Sequence, residues 1–158
     1  MRLKKIIKQL EGKFPLELAE EWDNVGLLLD STRREIKSIM LCLDITRDVV
    51  DKAVANKVDL IISHHPFIFS PLKKITTDEV NGEKILKLAR NNIAVYSMHT
   101  NIDSGIGGLN DFIIKKIGQE GKVFVISDNR CVELRKLVTG DLIDAKDKII
   151  NPLRIQKL

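Results

Sequence analysis

The sequence has only two cysteines, Cys42 and Cys131, and nothing resembling a secretory signal precedes them. Polar residues at positions 9, 11 and 13 interrupt the apolar positions that follow the basic start, so no signal-peptide core forms. A chain of 158 residues buries roughly 70% of the surface that its unfolded form exposes, and it needs no disulfides to hold it together. We therefore expect two reduced thiols in a cytoplasmic protein of globular composition.

Long apolar runs and one-sided charge are missing as well. No segment approaches the ~20 consecutive apolar residues of a transmembrane helix, which argues against a membrane protein. The net charge of +4 is spread evenly along the chain, whereas nucleic-acid binding usually needs a clustered basic face. We therefore expect neither a membrane nor a nucleic acid as a partner.

Hydrophobic patterns alternate between those of strands and those of helices along the chain. This order implies right-handed crossovers, and it predicts an α/β fold with a largely parallel sheet covered on both faces. The predicted elements are helices at 2–11 and 16–21, a strand at 36–44, a helix capped by Thr46, a strand at 60–63, a helix at 81–91, a strand at 93–97, a helix at 109–117 and a strand at 123–126.

All three histidines follow predicted buried strands. His64 and His65 come directly after one strand, and His99 follows a later one, with Asp103 four residues further on. Ligands collect outside the carboxyl ends of parallel strands, where loops from different strands meet. Three imidazoles and a carboxylate form a mixed nitrogen and oxygen set that suits zinc, iron, manganese or nickel. The sequence therefore predicts a divalent-metal site.

The double histidine needs the strand to end there, because a continuing strand would point His64 and His65 to opposite faces. Pro66 removes a ladder donor, so both imidazoles can reach one cleft. Simpler interpretations exist: the pair could lie in a solvated loop, His99 could be a half-buried core histidine, and Asp103 could cap the next helix. We prefer the metal site, because three histidines and an aspartate are not expected to fall at the ends of two strands by chance.

Two further segments allow more than one interpretation. The glycine-rich loop at 104–109 matches no nucleotide-binding fingerprint, and its glycines are more typical of a flexible loop before a helix. Trp22 is of a type most often found in the core. Asp23 and Asn24 could stabilise a turn through their own side chains, or could point into the cleft.

Three segments, in this order, resemble the signature segments of the GTP cyclohydrolase I type 2 family, also called NIF-three-like proteins. The resemblance covers roughly residues 1–119. It implies a three-layer α/β fold with a dinuclear metal centre, and assembly into ring-shaped homo-oligomers. The segments are Trp22-Asp23-Asn24-Val25-Gly26-Leu27, Ser63-His64-His65-Pro66 and His99-Thr100-Asn101-Ile102-Asp103.

The resemblance also implies roles for individual residues. Carried over by position, His64, His65 and Asp103 match metal ligands, with Asp103 as the bridging one. His99 matches a histidine that lines the same cleft, and it is the candidate catalytic residue for proton transfer or substrate orientation. The segment at 22–24 lies near the site without an assigned role. The implied activity is metal-dependent hydrolysis, by analogy the opening of the guanine imidazole ring of GTP.

The chain departs from the family pattern in its last part. Family members normally continue into a second half in which a histidine and a glutamate complete the metal shell. No histidine follows His99 here, and Glu120 and Glu133 stand in no matching motif. We therefore divide the chain into a metal-binding domain at 1–119 and a divergent or shortened segment at 120–158. Two alternatives stay open: a non-catalytic metal-binding or protein-interaction module, and an oligomer in which another chain supplies the ligands.

Overall fold

The structure, a computed structural model, describes residues 1–33, 35–117, 123–127, 130–134 and 149–150. The chain forms two compact units, Met1–Gly105 and Ile106–Leu158. In chain order, the helices and strands are α1 (Leu3–Lys13), a 3₁₀ helix (Leu16–Leu18), β1 (Gly26–Leu29), β2 (Ile39–Cys42), α2 (Arg47–Ala55), β3 (Leu60–Ser63), α3 (Val80–Arg90), β4 (Ala94–Ser97), α4 (Thr100–Ser104), α5 (Leu109–Ile117), β5 (Val123–Ser127), β6 (Arg130–Leu134) and β7 (Ile149–Ile150).

The first unit is built on a four-stranded sheet in the order β1-β4-β3-β2. Strands β2, β3 and β4 run parallel, and β1 pairs antiparallel with β4 at one edge. The register places Ser63 of β3 beside both Cys42 of β2 and Ser97 of β4, so the three parallel strands end level with one another. The predicted α/β class with a largely parallel sheet is confirmed.

Both faces of this sheet are covered. Leu60, Ala94 and Tyr96 pack on one face in the same cluster as the apolar side of α1. Ile61 and Val95 point to the other face and pack with residues of α2 and α3. All five of these strand residues are fully buried. The result is a three-layer arrangement of helix, sheet and helices, and burial on both faces explains why β3 and β4 are almost continuously apolar.

Local signals explain several boundaries. Helix α2 begins as predicted, because the Thr46 Oγ1 accepts a hydrogen bond from the Val49 N–H at 3.2 Å and so satisfies one donor that a helix start leaves unpaired. The strand predicted for 36–44 is shorter in the structure. It lies at the edge of the sheet and pairs only with the four residues of β3, which limits its length.

A buried carboxylate links the segment before β2 to the start of β3. Asp59 accepts hydrogen bonds from the backbone N–H groups of Lys37 and Ser38, at 2.7 and 3.0 Å, and pairs with Arg33 at 3.1 Å. Burial alone would raise the pKa of Asp59, but the two backbone hydrogen bonds and the Arg33 charge lower it below its ordinary value. The charged form of Asp59 is therefore the one that stabilises this junction.

The second unit contains α5 and a three-stranded antiparallel sheet in the order β5-β6-β7. Helix α5 and strand β5 agree with the predictions for 109–117 and 123–126. Residues 135–148 and 151–158, where no clear pattern was found, lie outside the described residues. The predicted division at residue 119 stays a prediction. Within the described residues, no helix combines the length and hydropathy that crossing a membrane requires.

Candidate metal centre

The level ends of β3 and β4 bring the three histidines together. His64 and His65 follow β3 directly, and His99 follows β4 after one residue. One ring nitrogen from each imidazole lies within 4.8 Å of the other two. The ring centroids are between 5.0 and 5.6 Å apart. Two distant segments of the sequence thus form one cluster at the carboxyl edge of the parallel strands, as predicted.

Two serine hydroxyls brace the strand ends below the cluster. The Ser63 hydroxyl donates to the carbonyl oxygen of His65 at 2.9 Å, so it accepts from the Ser97 hydroxyl at 2.8 Å. Both serines are buried. The Met98 N–H donates to the Ser63 carbonyl oxygen at 2.9 Å, which continues the parallel ladder past the end of the strands. The backbone is therefore fixed at the points where the histidines leave the sheet.

His64 shows which of its ring nitrogens is available. Its Nδ1 lies 3.0 Å from the carbonyl oxygen of Met98. A carbonyl oxygen only accepts, so Nδ1 carries the proton, and in a neutral imidazole the lone pair is then on Nε2. That Nε2 lies 3.8 Å from Oδ2 of Asp103. His64 thus presents a ligand nitrogen on the side of the ring where Asp103 lies.

The other two histidines are oriented by carboxylates. Nδ1 of His65 lies 2.7 Å from Oδ1 of Asp44, and Nδ1 of His99 lies 3.0 Å from Oδ1 of Asp23. When these carboxylates are ionised they accept the Nδ1–H, which leaves the Nε2 lone pair available in both rings. Metal-ligating histidines almost always donate their second ring N–H to a carboxylate or a backbone carbonyl in this way. All three imidazoles therefore have the hydrogen bonding of metal ligands.

Asp23 is held in its ionised form. Its side chain is fully buried, and burial alone would raise its pKa. Hydrogen bonds from the side chains of Thr100 and His99, and from the backbone N–H groups of Thr100 and Asn24, instead hold the pKa of Asp23 below its ordinary value. Because Asp23 stays charged, the shared proton remains on Nδ1 of His99.

Asp103 adds a carboxylate to the cluster. It lies in α4, the short helix that follows His99. Burial, and to a smaller extent the charge of Asp23, raise the pKa of Asp103 above its ordinary value, against the lowering effect of the imidazoles. Three imidazole nitrogens with a carboxylate beside them are a donor set that fits a divalent cation. Asp103 thus lies beside His64, at 3.8 Å, while among the described residues the group of ligand atoms within 4.8 Å of one another consists of the three histidines alone.

The segment at 22–24 borders the same cluster. Trp22 is 45% exposed, so its interpretation as a core residue is wrong. Its ring centroid lies 6.1 Å from that of His99 and 6.0 Å from that of Phe69. Asp23 both stabilises the turn and points toward the cluster, because it accepts a hydrogen bond from the Asn24 N–H and also orients His99. The Asn24 side chain donates to the carbonyl oxygen of Ile68.

Sequence reasoning missed two residues that support the cluster, Asp44 and Thr100. Asp44 stands two residues after β2, at the same carboxyl edge as the histidines. The rule that ligands collect beyond the carboxyl ends of parallel strands could therefore have predicted its place in the site. Thr100 gave no such signal. It begins α4, a helix of five residues, which is too short for hydrophobic periodicity to indicate.

The fold and the cluster together define a three-layer α/β protein with a candidate divalent-metal site at the carboxyl edge of its parallel strands. Comparison with known proteins identifies the family. The family model of Duf34/NIF3 (NGG1p interacting factor 3) matches residues 1–151, and the chain belongs to this family. The match extends past residue 119, to which the resemblance of the sequence motifs was limited.

Individual relatives agree with this assignment. The chain is similar to the GTP cyclohydrolase 1 type 2 homolog of Clostridium acetobutylicum, with 35% identity over 167 aligned positions, covering 100% of this chain and 62% of that protein. It is 42% identical over 117 residues to NIF3-like protein 1 of Drosophila melanogaster, covering 73% of this chain and 40% of that protein. A solved structure of a Bacillus cereus protein related to NIF3 matches 82% of this chain and 36% of its own, with a TM-score of 0.73 and 35% identity.

The chain spans less than two thirds of the length of these relatives. The alignment with the Clostridium acetobutylicum relative covers the whole of this chain, so it contains the histidine cluster and the whole of the first unit's sheet. Family membership therefore supports the fold and metal use, and the activity of the longer relatives is a separate question.

Proposed function

We propose that this protein is a divalent-metal-dependent hydrolase. The observation that carries the proposal is the hydrogen bonding of His64, His65 and His99. Each Nδ1 faces an oxygen acceptor, and each Nε2 keeps its lone pair within one cluster. Three imidazoles with this hydrogen bonding have the tautomer that metal-ligating histidines use, and imidazole nitrogen suits zinc, iron, manganese or nickel.

The residues of the cluster have distinct roles in this proposal. His64, His65 and His99 hold the cation through Nε2, and Asp103 offers a carboxylate oxygen 3.8 Å from the His64 nitrogen. A divalent cation bound there supplies a Lewis acid that polarises a substrate bond and acidifies water. Because the hydrogen bonding of His99 matches that of the other two, we assign it as a ligand in preference to a proton-transfer residue.

The names of the relatives suggest the substrate. Several are homologs of GTP cyclohydrolase 1 type 2, and we propose hydrolytic opening of the guanine imidazole ring of GTP as the reaction to test first. The alternative is a metal-binding or interaction module without activity. Both give a metal-loaded protein, so turnover is what separates them.

The metal claim is tested by mass spectrometry of the metal content of purified protein. His64→Gln, His65→Gln and His99→Gln should each lower metal affinity by more than about tenfold, because losing an orienting partner alone costs about 10–100-fold. Asp48→Asn is the matched control, since this exposed carboxylate on α2 pairs only with Lys52 among the described residues. Histidine variants that retain metal as well as the wild type would overturn the metal site.

The hydrolase claim is tested by incubating the metal-loaded chain with GTP and separating the products by chromatography. Loaded protein that leaves GTP and simple phosphoesters unchanged would refute the hydrolase and leave the non-catalytic module. We also propose a homo-oligomer in which a second chain completes the ligand shell. Light scattering with and without chelator tests it, because a metal-bridged assembly should dissociate when the metal is removed.

A further inference from the structure

A cleft of about 560 Å³ opens beside the histidine cluster. This volume lies within the range of about 300–1,000 Å³ that is typical of small-molecule sites. One end of the cleft is formed by Asp44 and His65, which belong to the cluster described above. The other walls come from residues 66–72, from Ile45 and Thr46 just before α2, and from Asn81 and Lys84 of α3. A ligand lying in this cleft would therefore reach the edge of the candidate metal centre.

One wall of the cleft carries a positive charge in a fixed position. Lys84 of α3 donates from Nζ to the carbonyl oxygen of Ile45 at 2.7 Å, and Nζ lies 5.3 Å from the centroid of the Phe67 ring. An ammonium group has three N–H donors. Partial burial first, and the nearby Arg47 charge second, lower the pKa of Lys84, against a smaller opposing effect of Asp44. An anion beside Lys84 would offset that cost.

The cleft also has an exposed aromatic wall. Phe69 is 52% exposed although it is a large apolar residue, and it lines the cleft. Its ring lies 6.0 Å from Trp22, whose ring lies 6.1 Å from His99. Aromatic surface thus extends from the imidazole cluster to the cleft. Such a surface suits a planar group, which stacks on aromatic side chains whatever its hydrogen-bonding pattern.

We propose that this cleft binds a substrate in which a planar ring is joined to an oxyanion such as phosphate. Lys84 pairs with the oxyanion, and Phe69 stacks on the planar group. The assignment rests on the proposed function, because it takes the histidine cluster as the reacting end of the site. It adds two residues that determine specificity, Lys84 and Phe69.

The test uses the whole chain of 158 residues, loaded with metal, and three probes: GTP, guanosine and inorganic phosphate. Binding is measured by calorimetry and by the fluorescence of Trp22, the single tryptophan of the chain, which lies against Phe69. Lys84→Gln keeps an N–H donor for the Ile45 carbonyl but removes the charge. Lys87→Gln removes a charge from the same helix at a residue that pairs with Asp51 on the surface, and it is the matched control.

The two substitutions in the cleft should give different patterns. Lys84→Gln should weaken GTP and phosphate binding by about tenfold or more and leave guanosine unchanged, because it removes a charge-assisted hydrogen bond. Phe69→Ala should weaken guanosine and GTP alike by about fivefold or more. Lys84→Arg, which keeps the charge, should stay within about threefold of wild type. Thermal unfolding of each variant checks that it folds. If Lys84→Gln does not fold, the binding measurements use Lys84→Arg instead.

Binding of GTP by Lys84→Gln and Phe69→Ala as tightly as by wild type would overturn the inference, and so would wild-type protein that binds none of the three probes. Failure of the proposed hydrolase reaction can be distinguished from failure of the cleft assignment. Lys84-dependent binding of GTP without turnover leaves the cleft assignment intact and refutes the reaction. Turnover with wild-type Kd and KM in both variants supports the reaction and refutes the cleft.

Discussion

Replacing Asp23 with asparagine tests the claim that this buried carboxylate sets the tautomer of His99. In the wild type, Oδ1 of Asp23 accepts from His99 Nδ1 and the Asn24 N–H, and Oδ2 accepts from the N–H and hydroxyl of Thr100. All four partners act as donors. An amide has only one acceptor oxygen, so either orientation places its NH₂ group against donors. If it faces His99, the ring must move its proton to Nε2 and lose the ligand lone pair.

The expected losses follow from this geometry. Metal affinity should fall by about 10–100-fold, which corresponds to about 1.4–2.7 kcal/mol. The free energy of unfolding of the metal-free protein should fall by about 1–3 kcal/mol, because one buried donor is left unpaired. Zinc competition titration measures the first loss and urea denaturation measures the second. Nitrogen NMR of the imidazoles reports the tautomer of His99 directly.

A carboxylate outside the cluster provides the control for this experiment. Asp48→Asn makes the same chemical change at an exposed residue of α2 that pairs with Lys52 at 2.7 Å. It should leave metal affinity within twofold of wild type and change stability by less than about 1 kcal/mol. A folded Asp23→Asn protein that binds zinc as tightly as the wild type, with His99 still protonated on Nδ1, would refute the reasoning.

Two further predictions concern stability. Asp59→Asn should lower the free energy of unfolding by about 1.5–3 kcal/mol at pH 7. Because the pKa of Asp59 is lowered from its ordinary 3.8, its stabilising effect is present above about pH 4 and is lost as the pH falls, so urea denaturation should give a smaller difference at pH 3; an equal difference at both pH values would contradict this. Gly82→Ala should lower stability by about 1–3 kcal/mol, because the new Cβ would lie 2.1 Å from the carbonyl oxygen of Thr76. Gly12→Ala is the control: a Cβ there would meet nothing within 4 Å, so the free energy of unfolding should rise by up to about 1 kcal/mol. A Gly82→Ala protein with the same melting temperature as the wild type would contradict the predicted clash.

Much of the first unit could be predicted from the sequence because its signals are local. The strand at 60–63 and the cap at Thr46 match the structure residue by residue, since a short apolar run and a hydroxyl before a helix act through immediate neighbours. The histidine cluster could be predicted because parallel strands end at one edge. That inference needs only the order of strands and helices along the chain.

What could not be predicted depends on contacts between distant residues. The antiparallel direction of β1 is set by its pairing with β4, and a four-residue apolar run has the same pattern in either direction. The exposure of Trp22 depends on the rings of Phe69 and His99, which the chain brings beside it from more than 45 residues away. The orienting role of Asp23 likewise requires knowledge of where His99 lies. These are properties of the folded arrangement and leave no periodic trace in the sequence.

The pairing of Ser63 with Ser97 has a consequence for how the protein is made. A slip of one residue between β3 and β4 would displace His99 by ~3.3 Å and turn the chain leading to it toward the opposite face of the sheet. The imidazole rings of His64, His65 and His99 can therefore meet only after β3 and β4 have paired in the native register. The three imidazoles therefore come together only in chains whose sheet has assembled fully. Chains that are still unfolded, or whose strands pair in the wrong register, lack the cluster.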